Sequence, residues 1–226
     1  LHRFHRTEAL PLPKPEERAG LEKFLDEHFR ELSELLRGLA ILGELTPRSL
    51  DAVASYGERL SSHIVAAALR ARGVAAEAVD SRRLIVTDRR FTQAAPLFPE
   101  TNARLRRELL PLVRERVPVL GGFIAATEDG ITTTLGRGGS DFTASIVGAA
   151  LDAREIQIWT DVDGIMTADP RIVPDAAVLE EVTYNEAAEL AYNGAKVLHP
   201  RTLAPLIERQ IPVWSKNSFA PEKPGT

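Results

Sequence analysis

Gly136-Arg137-Gly138-Gly139-Ser140-Asp141 is the stretch of this chain best suited to hold an anion. An apolar run of helical spacing follows it, then the strand-like EIQIWT, then DVDGIMTADPR. A glycine-rich turn opening a helix presents unpaired backbone N–H groups and the positive end of the helix dipole, which together suit a phosphate. Gly136, Gly138 and Gly139 allow close backbone approach, Arg137 adds a planar fork of donors, and Ser140 is expected to cap the helix. Asp141 is out of place in a bare phosphate cradle. It makes sense if it holds a metal ion or orients lysines that carry the positive charge. An ordinary glycine-rich connection between a strand and a helix could carry the same letters, so the segment does not decide the matter by itself.

The residues that follow favour a ligand site. Thr160 and Asp161 end a strand whose Ile156, Ile158 and Trp159 are apolar enough to be buried, and open α/β sheets bind ligands outside the carboxyl ends of their strands. Asp163-Gly164 makes a turn, and Asp169-Pro170-Arg171 a second bend with an arginine leaving it. No GxxxxGK[ST] signature occurs in the chain, which argues against an ordinary P-loop enzyme.

The elements that must position these residues are readable from periodicity. Residues 1–19 mix histidines, prolines and charges and are expected to be extended or loosely ordered, with His2 and His5 on the surface. From Leu21 through Phe24, Leu25, His28, Phe29, Leu32, Leu35, Leu36 and Leu39 the spacing is that of a packing helix. Thr46-Pro47 starts a second helix, whose inward face is expected at Leu50, Val53, Ala54, Leu60, Ile64, Val65 and Ala68. Glu58 lies inside it, in SYGERLSS. A solvated glutamate is the commoner reading of such a residue. Gly57 beside it costs about 1 kcal/mol relative to alanine in a helix, which suggests that something approaches the backbone there.

Beyond Gly73 strands and helices alternate. Strands are expected at 74–79, 84–86, 117–124, 131–135, 156–160 and 211–215, with helices at 102–116, after 139, from the Thr183–Glu186 capping box to about Asn193-Gly194, and at 200–209. This alternation predicts an α/β fold with a largely parallel sheet covered on both faces. Trp159 and Trp214 are expected in the core, and His199, before Pro200 at a helix start, is expected to cap or pack.

With 226 residues, 44% of them hydrophobic, the chain can bury one large core, as one domain or one domain with a small lobe. No run approaches the length of a membrane span, and a net charge of −4 makes no electrostatic case for nucleic acid. The absence of cysteine excludes disulfides and thiolate metal sites, and it fits a cytoplasmic protein.

TTTLGRGGSD at 132–141, WTDVDGIMTADPR at 159–171, YNGAKVLHP at 192–200 and NSFAPEKPGT at 217–226 resemble the aspartate kinase branch of the amino acid kinase family. The four motifs stand in the same order with similar spacing. The resemblance runs from about Leu45 to the last residue, and the first forty or so residues share only a helical character. It implies a three-layer αβα sandwich with a mainly parallel central sheet and a helical portion near the amino terminus. It also implies phosphorylation of the L-aspartate side chain by ATP with Mg2+, giving 4-phospho-L-aspartate, the first step of lysine, threonine and methionine biosynthesis.

By the same resemblance, Glu58, Arg137, Gly138, Gly139 and Ser140 would bind aspartate, with Glu58 on its amino group. Thr160, Asp161, Met166, Arg171, Lys196 and Val197 would hold the nucleotide; the residue chemistry itself makes Lys196, as a cation, and Asp141, as an organiser of the positive charge, the candidate catalytic residues. Met166 stands where many relatives have tyrosine. Aspartate kinases open with a lysine-x-glycine-glycine-threonine strand and a later serine- and glycine-rich loop, neither of which occurs here. The only methionine is Met166. Residues 1–226 are therefore expected to be part of a catalytic domain, nearly inactive alone, from a protein that self-associates through regulatory domains outside this chain. The competing readings are a kinase of acetylglutamate, glutamate or a nucleotide monophosphate, or a non-catalytic nucleotide-binding regulatory module. An internal helical glutamate aimed at a free amino group is of no use to an acylated amine or a phosphate.

Overall fold

In a computed structural model, described over residues 1–168, 172–192 and 200–226, helices and strands alternate as the periodicity predicts. Two compact units emerge, Leu1–Gly136 and Arg137–Thr226.

In the first unit the amino terminus departs from the extended segment expected over 1–19. Residues His2–Ala9 form helix α1, and α2 (Pro15–Leu42) starts with Pro15 in its first turn. The reason is packing. The His2 and His5 rings lie 4.8 and 5.1 Å from the Phe29 ring, and Arg6 pairs with Glu22 and Asp26. Ala9 is buried with Leu21, Leu25 and Phe29, so Pro11 and Pro13 fall in the turn between two packed helices.

Helix α3 (Pro47–Ala71) is capped by Thr46, whose side chain accepts the Ser49 N–H at 3.1 Å. Its inward face is shifted from the expected one. Leu50 and Val65 are exposed, whereas Asp51, Ser55, Leu60 and Ser62 are buried. One side of α3 packs on α2 through Leu60 and Ala67. The other carries a polar seam, Asp51, Ser55, Glu58 and Ser62, at spacings of four, three and four residues.

Strand β1 (Ala76–Val79) pairs in parallel with β3 (Val117–Leu120), and β2 (Val86–Thr87) with β4 (Ile124–Thr127). Strand β5 (Thr132–Thr134) is antiparallel to β4. Helix α4 runs from Phe98 to Leu112, four residues ahead of the expected span, because Pro99 sits in its first turn. The strand expected over 117–124 breaks after Leu120, where Gly121-Gly122 and a left-handed Phe123 (φ +69°) turn the chain.

In the second unit, α5 (Gly139–Ala150) packs on β6 (Ile156–Thr160), closely enough that a side chain at Gly148 would overlap Ile156. Strand β6 pairs in parallel with β7 (Val213–Asn217), from Ile156 opposite Val213 to Thr160 opposite Asn217. Helices α6 (Tyr184–Tyr192) and α7 (Pro200–Ile207) complete it. The capping box is formed: the Glu186 N–H donates to Thr183 Oγ1 at 3.2 Å, and the Thr183 N–H donates to Glu186 Oε2 at 2.7 Å. The α/β class and the predominance of parallel pairing are as expected.

The two tryptophans are not core residues. Ile156 packs with Leu206 and Ile211, and alternation along β6 sends Trp159 to the other face. Trp159 and Trp214 are 46% and 36% exposed, with the Lys216 ammonium 5.5 and 5.6 Å from their rings.

Candidate active site

Glu58 is half-buried on the polar seam of α3. Burial pushes its carboxyl above the usual carboxylate range, and among the described residues no cation or donor compensates it. The close backbone approach expected at Gly57 occurs elsewhere. Gly57 is exposed, with open space where a side chain would be. It is Gly121, after β3, that presses on the helix: a Cβ there would lie 2.9 Å from the Glu58 carbonyl oxygen. The carboxylate is thus held by its backbone and has no partner among the described residues, as an acceptor for a ligand's ammonium would.

Asp51, two turns earlier on the same seam, escaped the sequence reading. It is 1% exposed and accepts from neutral donors: the Thr92 N–H at 2.8 Å, the Thr134 N–H at 3.0 Å and the Thr134 hydroxyl at 2.7 Å. These bonds tie α3 to the end of β5, from which the chain enters Gly136. Gly136 (φ +75°) passes so close to Thr92 that a Cβ would lie 2.9 Å from its carbonyl oxygen. An acidic residue at helical spacing from Ser55, Glu58 and Ser62 was the available signal.

In the second unit the glycine-rich turn opens α5, but its cap differs from the expected one. Gly138, in the left-handed conformation (φ +69°), is the cap, its carbonyl accepting the Phe142 N–H at 2.9 Å. Ser140 lies at the second position of the first turn, past the capping position, which falls to Gly138. Among the described residues no side chain caps the helix, which leaves the N–H groups of Gly139, Ser140 and Asp141 available to an anion. Arg137 and Ser140 are exposed and Gly139 is buried. Burial pushes the Asp141 carboxyl upward, and among the described residues no countercharge meets it.

Thr160 and Asp161 stand at the end of β6, the Thr160 hydroxyl donating to Asp161 Oδ1 at 3.2 Å. Met166 is half-buried and bridges Val178 in a short antiparallel ribbon. The Asp163 carboxylate is held by Asn217 Nδ2 and Lys223 Nζ, both at 2.6 Å, and these bonds, Lys223 first, keep it well below the usual carboxylate range. Arg171, Lys196, Val197 and His199 lie outside the described residues. Within its own unit, Glu58 stands on its helix, Arg137 to Asp141 at a helix start, and Thr160 and Asp161 at the end of β6, while Met166 stands in the ribbon with Val178. Among the described residues there is no cluster of three or more histidine and acidic side chains placed to hold a metal, and no helix is long and apolar enough to cross a membrane.

The profile of the amino acid kinase family matches residues 12–217. Aspartokinase 1, chloroplastic, of Arabidopsis thaliana is 44% identical over 204 residues, an alignment covering 88% of this chain and 36% of that protein. Among solved structures, E. coli aspartokinase III in complex with lysine and aspartate (T-state) superposes with a TM-score of 0.89 at 36% identity, covering 99% of this chain and 49% of that one. The same enzyme in complex with aspartate and ADP (R-state) gives 0.80 at 36% identity, covering 98% and 54%. The chain spans about a third to a half of the length of these relatives.

Proposed function

The chain belongs to the amino acid kinase family and has its α/β fold, and on that premise we propose that the whole protein is an aspartate kinase. It transfers the terminal phosphoryl group of ATP to the side-chain carboxylate of L-aspartate, giving 4-phospho-L-aspartate and ADP at the head of lysine, threonine and methionine synthesis. The observation that carries this reading is Glu58, a desolvated carboxylate without a counter-ion among the described residues. An amino acid with a free ammonium supplies what Glu58 lacks; an acetylated amine or a nucleotide monophosphate does not. The solved relative that holds both aspartate and ADP supports the same pair of ligands.

The acceptor carboxylate is already ionised at neutral pH, so the reaction needs little from a general base. The difficulty is bringing one anion to another, and catalysis rests on positioning and on donors around the transferring group. Arg137 binds a carboxylate of aspartate, and the first-turn N–H groups after Gly138 face the charge that develops as the oxygen–phosphorus bond to ADP breaks. Glu58 holds the ammonium. Thr160, Asp161, Met166, Arg171 and Val197 hold the nucleotide, and Lys196 neutralises its phosphates. Mg2+ arriving on those phosphates would neutralise further charge, and the uncompensated Asp141 carboxylate fits a cation partner of this kind.

The full-length protein should turn over ATP with aspartate and produce a hydroxylamine-sensitive acyl phosphate. The assay runs aspartate, glutamate, acetylglutamate and UMP side by side. Faster turnover with any of the other three would replace this reading.

A further inference from the structure

We propose that Thr226 is a positioning residue for the nucleotide side, an inference that rests on the assignment of Thr160, Asp161 and Met166 to ATP. Thr226 is 8% exposed, and both functions of its hydroxyl are used. Oγ1 accepts the Ile165 N–H at 2.8 Å and donates to the Leu179 carbonyl at 2.8 Å. Those two residues are the facing ends of the ribbon that carries Met166: the Leu179 N–H donates to the Ile165 carbonyl at 2.8 Å, and Met166 bridges Val178. Thr226 also exchanges backbone bonds with Ser215 of β7, at 2.9 and 3.1 Å. One residue therefore joins the Met166 ribbon to the strand paired with β6, whose end bears Thr160 and Asp161.

Two glycines make the junction possible. Gly225 (φ +85°) passes so close to the Ser215 carbonyl that a side chain would overlap it, and a side chain at Gly164 (φ +146°) would overlap Thr226 Oγ1. The ribbon is held from the other side as well, by Lys223 on Asp163. The position of Met166 is therefore set by segment 223–226 together with the ribbon's own pairing. Removing the hydroxyl leaves a buried N–H and a half-buried carbonyl without their partner, and the ribbon must shift to hydrate them.

The test uses full-length wild type, Thr226→Val, which keeps the shape without the hydroxyl, and Thr226→Ser, which keeps the hydroxyl. Calorimetry with a non-hydrolysable ATP analogue and, separately, with aspartate reads both affinities. Thr226→Val should weaken the nucleotide about tenfold or more and leave aspartate within about twofold, and Thr226→Ser should restore the nucleotide. Equal weakening of both ligands, or an unchanged nucleotide affinity, overturns the inference while leaving the kinase reading intact. Wild type that binds no nucleotide overturns the kinase reading and this inference with it. If Thr226→Val does not fold, hydrogen exchange on wild type decides. Nucleotide must slow exchange in 164–168 and 224–226 together, and protection of the first without the second overturns the inference.

Discussion

Gly121 and Glu58 touch backbone to backbone: a Cβ on Gly121 would lie 2.9 Å from both the Cβ and the carbonyl oxygen of Glu58. Helix α3 cannot give way there without leaving the strands it packs on. Gly121→Ala should destabilise the protein by about 1–3 kcal/mol, the usual cost of overpacking, and weaken aspartate as Glu58 moves. Gly57→Ala, one residue from the same glutamate but facing open space, should stabilise by about 0.4–1 kcal/mol. Denaturant midpoints of the two variants check the opposite signs, and a stabilising Gly121→Ala would remove the contact.

Glu58→Gln should weaken aspartate by roughly 1.5–3 kcal/mol, the scale of one hydrogen bond to a charged group, and hardly affect ATP. Arg137→Ala should cost aspartate at least as much, because a guanidinium fork also orients the carboxylate. Separate titrations with aspartate and ATP decide, and equal losses for both ligands would show that the two sides are wrongly assigned.

The same glutamate sets a pH dependence of stability. Burial raises its folded pKa above the unfolded value, so its contribution to stability is present below the unfolded carboxylate pKa and is lost as pH rises through the folded one. Glu58→Gln should therefore match wild type in acid and exceed it at neutral pH without ligand. Thermal midpoints across that range test the sign. His28 and His63 act in the opposite direction. Burial is the largest cause lowering both, so their neutral forms favour the fold above the unfolded histidine pKa, and this is lost as pH falls toward the folded values. His28 Nδ1 faces the Phe24 carbonyl at 2.9 Å, which fixes its proton there and leaves Nε2 to accept from Arg59 at 2.8 Å. Replacing both histidines with glutamine should flatten the stability curve between about pH 7 and 5.

Met166→Tyr should tighten ATP by up to about 1 kcal/mol, the scale of one aromatic contact, without changing aspartate affinity. A methionine can lie against the base or ribose but offers no ring to stack. A change felt mainly by aspartate would take Met166 out of the nucleotide side.

Sequence periodicity located most helices and the parallel strands because both signals are local: caps at Thr46 and Thr183, alternation in 156–160, and glycine at a helix start. It failed where tertiary packing decides. Helix α1 exists because His2, His5 and Ala9 find Phe29 and its neighbours, which no local pattern announces. The buried face of α3 was misplaced because Leu50 and Val65 outweighed Asp51 and Ser55 in a reading that sends polar residues outward. Gly57 and Gly121 show the same limit. A glycine's reason lies in what approaches it, and Gly121 meets a helix 63 residues earlier in the chain.

The three neutral donors around Asp51 have a kinetic consequence. Its partners lie 41 and 83 residues further along the chain, so while α2 and α3 form from neighbouring sequence, the carboxylate must remain hydrated until Thr134 arrives. Loop closure over such a distance is entropically slow, and shedding that water has no reward until both donors of Thr134 are in place. Docking of β5 on α3 is thus expected to come late in folding, after α2 and α3 have formed.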